Sequence, residues 1–184
     1  MKYQKINIDV NYEKLGCDNG GYKPNMTIYI PDNYEQININ RKRPTVIICP
    51  GGGYAGTSPR EAEAIAFRFI AADFNAVVVR YSCSPARFPC QLIELAWAFA
   101  KVRENADEWN VDLDKLVVLG FSAGGHLAAS YGTLWNKDFI KEYFGFENGE
   151  NKPNGMVLCY PVITGGQKTH RDSFINILGD KQDD

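Results

Sequence analysis

The sequence has no long apolar run and no block of charge of one sign, and both absences reduce the range of partners that the protein is expected to have. No segment is apolar over the length needed to cross a bilayer, and residues 1–7 lack the apolar core of a signal peptide. The formal net charge is −2, and lysine and arginine form no basic block. We therefore expect neither a nucleic-acid partner nor a membrane partner.

Paired-cysteine motifs are also absent. The five cysteines are odd in number and form no CxxC, and two of them lie in strongly apolar segments (Cys17, Cys49, Cys83, Cys90 and Cys159). This pattern is typical of reduced cytosolic thiols, and not of a disulfide framework or a zinc site. We therefore predict a cytoplasmic protein, and nothing in the sequence implies a metal or another cofactor.

Apolar runs and helical segments alternate along the 184 residues, of which 45% are hydrophobic and 23% charged. Continuous apolar runs predict strands that are buried on both faces. The alternation predicts an α/β fold in one domain over residues 1–184, with a mostly parallel, doubly wound sheet and right-handed crossovers. Two further strands without a helix between them predict an antiparallel N-terminal edge. The predicted strands are 3–10, 26–30, 45–49, 76–81, 115–119 and 156–160, and the predicted helices are 59–73, 90–105 and 123–135.

A G-x-S-x-G motif, formed by Gly120, Ser122 and Gly124, lies between a predicted strand and a predicted helix. In this setting the motif predicts a sharp turn that exposes a nucleophilic serine at the carboxyl end of the sheet. Glycines flank the serine because larger side chains would collide there. The following helix adds a positive dipole beneath a developing oxyanion. We predict Ser122 as the catalytic nucleophile; the alternative is a glycine-rich turn without function.

A run of three glycines, Gly51 to Gly53, follows Pro50 directly after a buried strand. Acyl transfer creates an oxyanion that needs backbone donors already in place, and glycines let the backbone approach a substrate closely. We predict that the N–H groups of Gly52, Gly53 and Ala123 form the oxyanion hole. A glycine triplet could instead bind phosphate, but no GxGxxG or GxxxxGKS motif completes that alternative.

The order of these elements resembles α/β-hydrolases of the esterase and lipase group. It is most similar to the acetyl-xylan-esterase-like and hormone-sensitive-lipase-like carbohydrate esterases, over about residues 25–180. Besides the glycines, the resemblance rests on residues 60–66 (REAEAIA), 120–126 (GFSAGGH) and 159–163 (CYPVI). Pro50 departs from it, since many members have histidine there. The resemblance implies a carboxylic ester hydrolase for small-molecule substrates with short acyl groups, such as acetyl esters of sugars or xylan.

Only two histidines are present as candidate general bases. His126 lies one helical turn after Ser122, so we expect it to have a packing or surface role, and His170 is the remaining candidate. In this fold an acid and then a histidine follow the serine, but no acid precedes His170 in a suitable place. We therefore expect the sequence to be truncated before the C-terminal strands that carry the acid and base. The 184-residue chain alone should then hydrolyse esters poorly.

Three tyrosines lie at the carboxyl ends of predicted strands and are candidates to line an acyl or sugar pocket: Tyr54, Tyr81 and Tyr160. Packing at the edge of the core is the alternative for each. Two other functions stay open. A peptidase or amidase can use the same fold, and a non-catalytic binding protein can keep the pocket without a complete triad. The sequence does not fix the oligomeric state, and a homo-oligomer is compatible with it.

Overall fold

A computed structural model describes residues 1–179 and contains one mixed sheet of six strands in the order β1-β2-β4-β3-β5-β6. The first two strands pair antiparallel with each other, β2 also pairs antiparallel with β4, and the remaining neighbours are parallel. This arrangement confirms the predicted α/β fold and its antiparallel N-terminal edge. The strands are β1 (Lys2–Asn7), β2 (Asn25–Ile30), β3 (Arg43–Cys49), β4 (Asn75–Arg80), β5 (Val111–Phe121) and β6 (Gly155–Cys159).

Six α-helices connect or cover these strands in the described part of the chain. The predicted helix over 59–73 is divided into a 3-10 turn, Pro59–Glu61, and a shorter α-helix. Three other helices have no counterpart in the prediction, because each is short and depends on contacts with distant residues. The helices are α1 (Tyr12–Leu15), α2 (Glu63–Ala71), α3 (Cys90–Glu104), α4 (Ala123–Leu134), α5 (Asp138–Phe144) and α6 (Arg171–Leu178).

Both faces of the sheet are covered, as the apolar strands require. Successive residues of a strand point to opposite faces, and the two faces bury separate sets of side chains. On one face Ile47 and Val77 pack with the buried side of α3 and α4. On the other face Val46 and Val78 pack with α2, where Ala66 is fully buried. Burial on both faces explains why the central positions of β3 and β4 are continuous apolar runs.

The parallel strands bring three loops to one edge of the sheet. Cys49 at the end of β3 lies opposite Gly120, and Phe121 at the end of β5 lies opposite Cys159 of β6. The loops that follow these strands therefore meet at the carboxyl edge, where open α/β sheets bind ligands. No helix among residues 1–179 has both the length and the apolar character needed to cross a membrane.

Candidate active site

Ser122 occupies the sharp turn between β5 and α4. Its backbone has φ 52° and ψ −118°, a conformation that costs a non-glycine residue on the order of 1–3 kcal/mol. The end of β6 and the segment after it are hydrogen-bonded to this turn. The Ser122 N–H donates to the Cys159 carbonyl at 3.0 Å, and the Ser122 carbonyl accepts the Val162 N–H at 3.1 Å. A strained serine held in this way matches the geometry that exposes a nucleophile.

The two glycines that flank Ser122 are required by close backbone contacts. A Cβ on Gly120 would lie 2.0 Å from the Gly124 carbonyl oxygen. A Cβ on Gly124 would lie 2.1 Å from the carbonyl oxygen of Cys49, at the end of β3. The contacting atoms are backbone atoms of the turn and of the adjacent strand, so they cannot move aside without disrupting the turn. Glycine at both positions lets α4 start directly against β3.

The glycine loop (Gly51–Gly53) follows β3 and lies beside Ser122. Gly52 has φ 138° and Gly53 has φ 63°, values that favour glycine. Within residues 1–179 the N–H groups of Gly52, Gly53 and Ala123 make no hydrogen bond to another group. Donors that are already ordered but unpaired suit a site where negative charge develops. Their role as an oxyanion hole remains a prediction.

Glu61 connects the two chain segments on either side of Ser122. Its Oε2 accepts the Gly51 N–H at 2.8 Å, and its Oε1 accepts the Tyr160 hydroxyl at 2.8 Å. The hydrogen bond to this carboxylate favours the neutral phenol and raises the pKa of Tyr160 to about 12. The Gly51 N–H is thereby occupied, which leaves Gly52 and Gly53 as the donors of the loop. No local pattern reveals this role, because Tyr160 is 99 positions from Glu61.

A cavity of about 580 Å³, the Ser122 cavity, opens at this edge of the sheet. Its volume falls within the range of about 300–1,000 Å³ that is usual for small-molecule sites. The glycine loop contributes Gly52 and Gly53, and polar side chains of Ser122, Glu61, Tyr160 and Asp172 line other parts. Sequence motifs predicted the serine and the glycines, whereas Glu61 and Asp172 join the site through tertiary contacts.

His170, the candidate base, also lines the Ser122 cavity. Its Nδ1 is hydrogen-bonded to the buried Ser173 hydroxyl at 2.9 Å. Among the hydrogen bonds of residues 1–179, none joins the His170 ring to a carboxylate or to Ser122. A triad histidine has the nucleophile at one ring nitrogen and a carboxylate at the other. The cavity thus brings His170 and Ser122 together, but His170 lacks the hydrogen bonds of a triad histidine.

Tyr54 and Tyr81 lie beneath the glycine loop, and the residues that line the Ser122 cavity do not include them. The Tyr54 hydroxyl is hydrogen-bonded to His126 Nδ1 at 2.7 Å, and the Tyr81 hydroxyl donates to the Pro50 carbonyl at 2.6 Å. Both side chains are at most 1% exposed, and burial raises their pKa values well above the ordinary range. Neither side chain lines this cavity as predicted, since each phenol finds a partner in the interior, but Tyr81 does line a neighbouring cavity. Tyr160 does line the cavity, as predicted.

His126 has a packing role in this arrangement. Its ring meets the Tyr54 ring edge-on, with centroids 5.8 Å apart and an interplanar angle of 87°. Burial lowers the pKa of His126, so the neutral imidazole is favoured. Helix α6 is attached to the same loop from outside, because Asn176 Nδ2 donates to the Gly53 carbonyl at 2.9 Å. The glycine loop is therefore packed against the buried side chains of Tyr54 and Tyr81 on its inner side and hydrogen-bonded to helix α6 on its outer side.

The residues around Ser122 supply side chains and backbone donors. Among residues 1–179, no group of three or more histidine, cysteine, aspartate or glutamate side chains could hold a metal ion. All five cysteines are free thiols. The arrangement offers a strained serine hydroxyl, unpaired backbone donors and a polar cavity beside them.

Comparison with known proteins assigns this chain to a family. The family model described as BD-FAE matches residues 26–162, which include both the glycine loop and Ser122. Endo-1,4-beta-xylanase B of Butyrivibrio fibrisolvens is 34% identical over 86% of this chain and 25% of that protein. Acetylxylan esterase of Xylanibacter ruminicola is 29% identical over 85% of this chain and 29% of that protein.

A solved structure supports the same conclusion on the fold. The acetyl ester-xyloside bifunctional hydrolase of Caldicellulosiruptor lactoaceticus superimposes with a TM-score of 0.78 at 30% sequence identity. The match covers 96% of this chain and 64% of that chain. The chain therefore spans less than a third of the length of these curated relatives, and less than two thirds of this solved structure.

Proposed function

Because the chain belongs to the BD-FAE family of α/β-hydrolases, we propose that the protein is a serine hydrolase that cleaves short-chain carboxylic esters. Ser122 is the nucleophile in this proposal. The observation that carries it is the strained conformation of Ser122, at φ 52°, beside the N–H groups of Gly52 and Gly53, which are unpaired within residues 1–179. A strained nucleophile next to free donors is the arrangement that acyl transfer requires.

The proposed reaction has two steps. Ser122 Oγ attacks the acyl carbon, its proton passes to a general base, and the carbonyl oxygen becomes an oxyanion bound by Gly52, Gly53 and Ala123 N–H groups. Collapse of this intermediate expels the alcohol, which takes up the proton, and leaves an acyl group on Ser122. Water then attacks the acyl-enzyme with the help of the same base and releases the carboxylic acid.

The general base would be a histidine that receives the Ser122 proton. His170 shares the cavity with Ser122, but its Nδ1 is engaged by Ser173 and not by a carboxylate. The solved relative extends beyond the part that this chain matches. We propose that in the whole protein an acid and a histidine from the corresponding region complete the triad, with His170 as the alternative base.

A polar alcohol group suits the Ser122 cavity. The lining includes Ser58, Arg60 and Asn176 in addition to Glu61 and Asp172. Such groups can donate to and accept from the hydroxyls of a sugar, whereas they would be poorly matched to a long acyl chain. Two relatives are named for xylan or its acetyl esters, and a third for acetyl esters and xylosides. We propose acetyl esters of sugars or xylan as the substrate class.

Covalent labelling tests the proposed function directly. The whole protein is incubated with a fluorophosphonate, which reacts with activated serines, and the modified peptide is identified by mass spectrometry. We expect a single adduct on Ser122 that excess p-nitrophenyl acetate slows. Ser130, on the same helix, serves as an internal control and should stay unmodified. An adduct elsewhere, or equal labelling of Ser122 in urea-unfolded protein, would count against an activated nucleophile and favour a binding protein without catalysis.

A further inference from the structure

A second cavity, the Tyr22 cavity, lies next to the Ser122 cavity and has a different character. It has a volume of about 300 Å³, the lower end of the range for small-molecule sites. Ala55 lines both cavities, so the two are neighbours across a single small residue. The other residues that line the Tyr22 cavity include Asn19, Tyr22, Thr57 and Ser84. A ligand that leaves the Ser122 cavity over Ala55 therefore enters this second space.

The chemistry of the Tyr22 cavity fits a neutral, hydroxyl-rich ligand. None of the described residues that line it carries a charged side chain, in contrast to the Ser122 cavity. The ring of Tyr22 is 43% exposed, and its hydroxyl makes no hydrogen bond within residues 1–179. The phenol of Tyr22 can therefore both donate and accept a hydrogen bond to a ligand, and burial raises its pKa further. An aromatic face beside hydroxyl and amide groups is suited to an amphipathic ring that is apolar on one side and polar at its edge.

The wall that carries Tyr22 is already ordered. The Asn19 side chain donates to the Tyr22 carbonyl at 2.8 Å, and the Tyr22 N–H donates to the Asn19 carbonyl at 3.1 Å. Gly20 packs so closely on Pro85 that a Cβ would be 3.0 Å from its ring. Little conformational entropy would be lost when a ligand binds to such a wall, which favours affinity.

We propose that the Tyr22 cavity is a subsite for a neutral saccharide unit of the substrate, one unit away from the acylated sugar at Ser122. This inference rests on the proposed function, because it assumes an ester at Ser122. It deepens that function by making an acylated oligosaccharide, and not an acylated monosaccharide, the preferred substrate. Tyr22 provides the stacking surface, and Thr57 and Ser84 provide hydroxyl groups elsewhere in the lining of the cavity.

Xylotriose is the probe that separates this proposal from the proposed function. It carries no ester, so its binding does not depend on the nucleophile or on a general base. We would titrate the 184-residue chain with xylotriose and with xylose and measure Kd by saturation-transfer NMR. Tyr22→Ala should weaken xylotriose binding about tenfold, the effect expected when an aromatic contact in a binding site is removed. Tyr22→Phe, which keeps the ring, should recover most of that loss.

Tyr34→Ala is the matched control, because Tyr34 is 60% exposed and does not line either cavity. It should leave the Kd for xylotriose unchanged. Three results would overturn the subsite: no saturable binding of xylotriose, an unchanged Kd in Tyr22→Ala, or Tyr22-dependent binding of methyl 4-hydroxycinnamate without binding of xylotriose. The last result would assign the cavity to the acyl group. Esterase assays of the same sample decide the proposed function separately, so the failure of either is recognised on its own.

Discussion

Tyr160 and Glu61, which both line the Ser122 cavity, are joined by a hydrogen bond of 2.8 Å, although 99 positions separate them in the sequence. Tyr160 follows directly after β6 and has φ 38°, and Glu61 ends a 3-10 turn before α2. The same carboxylate binds the Gly51 N–H. Glu61 thus fixes the glycine loop relative to the end of β6, and Ser122 lies between these two segments.

The charge of Glu61 should control the ionisation of Tyr160. Glu61→Gln keeps the size of the side chain but removes the carboxylate that raises the pKa of Tyr160 to about 12. We expect this pKa to fall toward the ordinary tyrosine value of about 10. NMR titration of protein with ¹³Cζ-labelled tyrosine would measure it, with Tyr160→Phe to assign the resonance and Glu35→Gln as an exposed control. A Tyr160 pKa that stays near 12 in Glu61→Gln would show that the Glu61 charge is not what raises it, and a wild-type pKa of about 10 would show that the contact does not persist in solution.

Removing the Ser122 hydroxyl should abolish ester hydrolysis while the fold is retained. Loss of the nucleophile in a serine triad can cost on the order of 10⁶ in kcat. In the whole protein we therefore expect Ser122→Ala to lower kcat for p-nitrophenyl acetate by a factor of that order, to the residual rate that the oxyanion hole and binding supply on their own. Ser130→Ala, the same change two turns further along α4, is the control and should keep the wild-type rate. Comparable rates in the two variants would exclude Ser122 as nucleophile.

A substitution of His170 tests whether this residue is the general base. Because its Nδ1 binds Ser173 and no carboxylate orients its ring among residues 1–179, we expect His170→Gln to reduce kcat/KM by roughly tenfold, far less than Ser122→Ala. Steady-state kinetics with p-nitrophenyl acetate would compare the two. If His170→Gln is as damaging as Ser122→Ala and its loss appears mainly in kcat, then His170 is the base. In that case Ser173→Ala should reproduce part of the effect.

The elements that the sequence predicts correctly are those defined by local patterns. Continuous apolar runs identify buried strands such as β3 and β4, and the G-x-S-x-G motif identifies the turn at Ser122, because each pattern is determined by neighbouring residues. Helix α6 was not predicted, since it depends on distant contacts such as the hydrogen bond between Asn176 and Gly53.

The residues of the candidate site also fall into two groups, those that local motifs predict and those that depend on tertiary contacts. Ser122 and the glycine loop follow from motifs. The contact between Glu61 and Tyr160, and the burial of Tyr54 and Tyr81, depend on how loops from different strands meet.

The predicted strand at 115–119 also extends to Val111 in the structure, because β5 keeps pairing with β3 through an irregularity in register. Apolar periodicity cannot reveal such pairing where exposed polar residues occupy the strand.

The glycine contacts behind Ser122 predict a large loss of stability on substitution. A Cβ on Gly124 would be 2.1 Å from a backbone oxygen of β3, so Gly124→Ala should lower the free energy of unfolding by about 2–4 kcal/mol. Gly155→Ala is the matched control, because its Cβ would meet only a Val117 methyl group at 3.8 Å. We expect that variant to change stability by less than about 1 kcal/mol. Urea unfolding would measure both; equal midpoints would contradict the close packing of α4 on β3.

A buried carboxyl group away from the site should make stability depend on pH. Glu94 is fully buried in α3, where it accepts the Tyr12 hydroxyl at 2.6 Å and the Ser82 N–H at 2.7 Å. Burial raises the pKa of Glu94, although these two hydrogen bonds oppose the shift. The folded protein therefore holds this proton to a higher pH than the unfolded chain, whose glutamates titrate near about 4.3.

The sign of the effect follows from this difference in proton binding. The stability contributed by protonated Glu94 is complete below about pH 4.3 and is lost as the pH rises through the raised folded-state pKa. Glu94→Gln cannot ionise, so its free energy of unfolding should decline less than that of the wild type between pH 4 and pH 8. Urea midpoints measured across this range give the difference, with the exposed Glu35→Gln as control to cancel the titration of other groups. Parallel profiles for wild type and Glu94→Gln would mean that Glu94 ionises alike in the folded and unfolded chains, and that its burial in α3 is relieved by water.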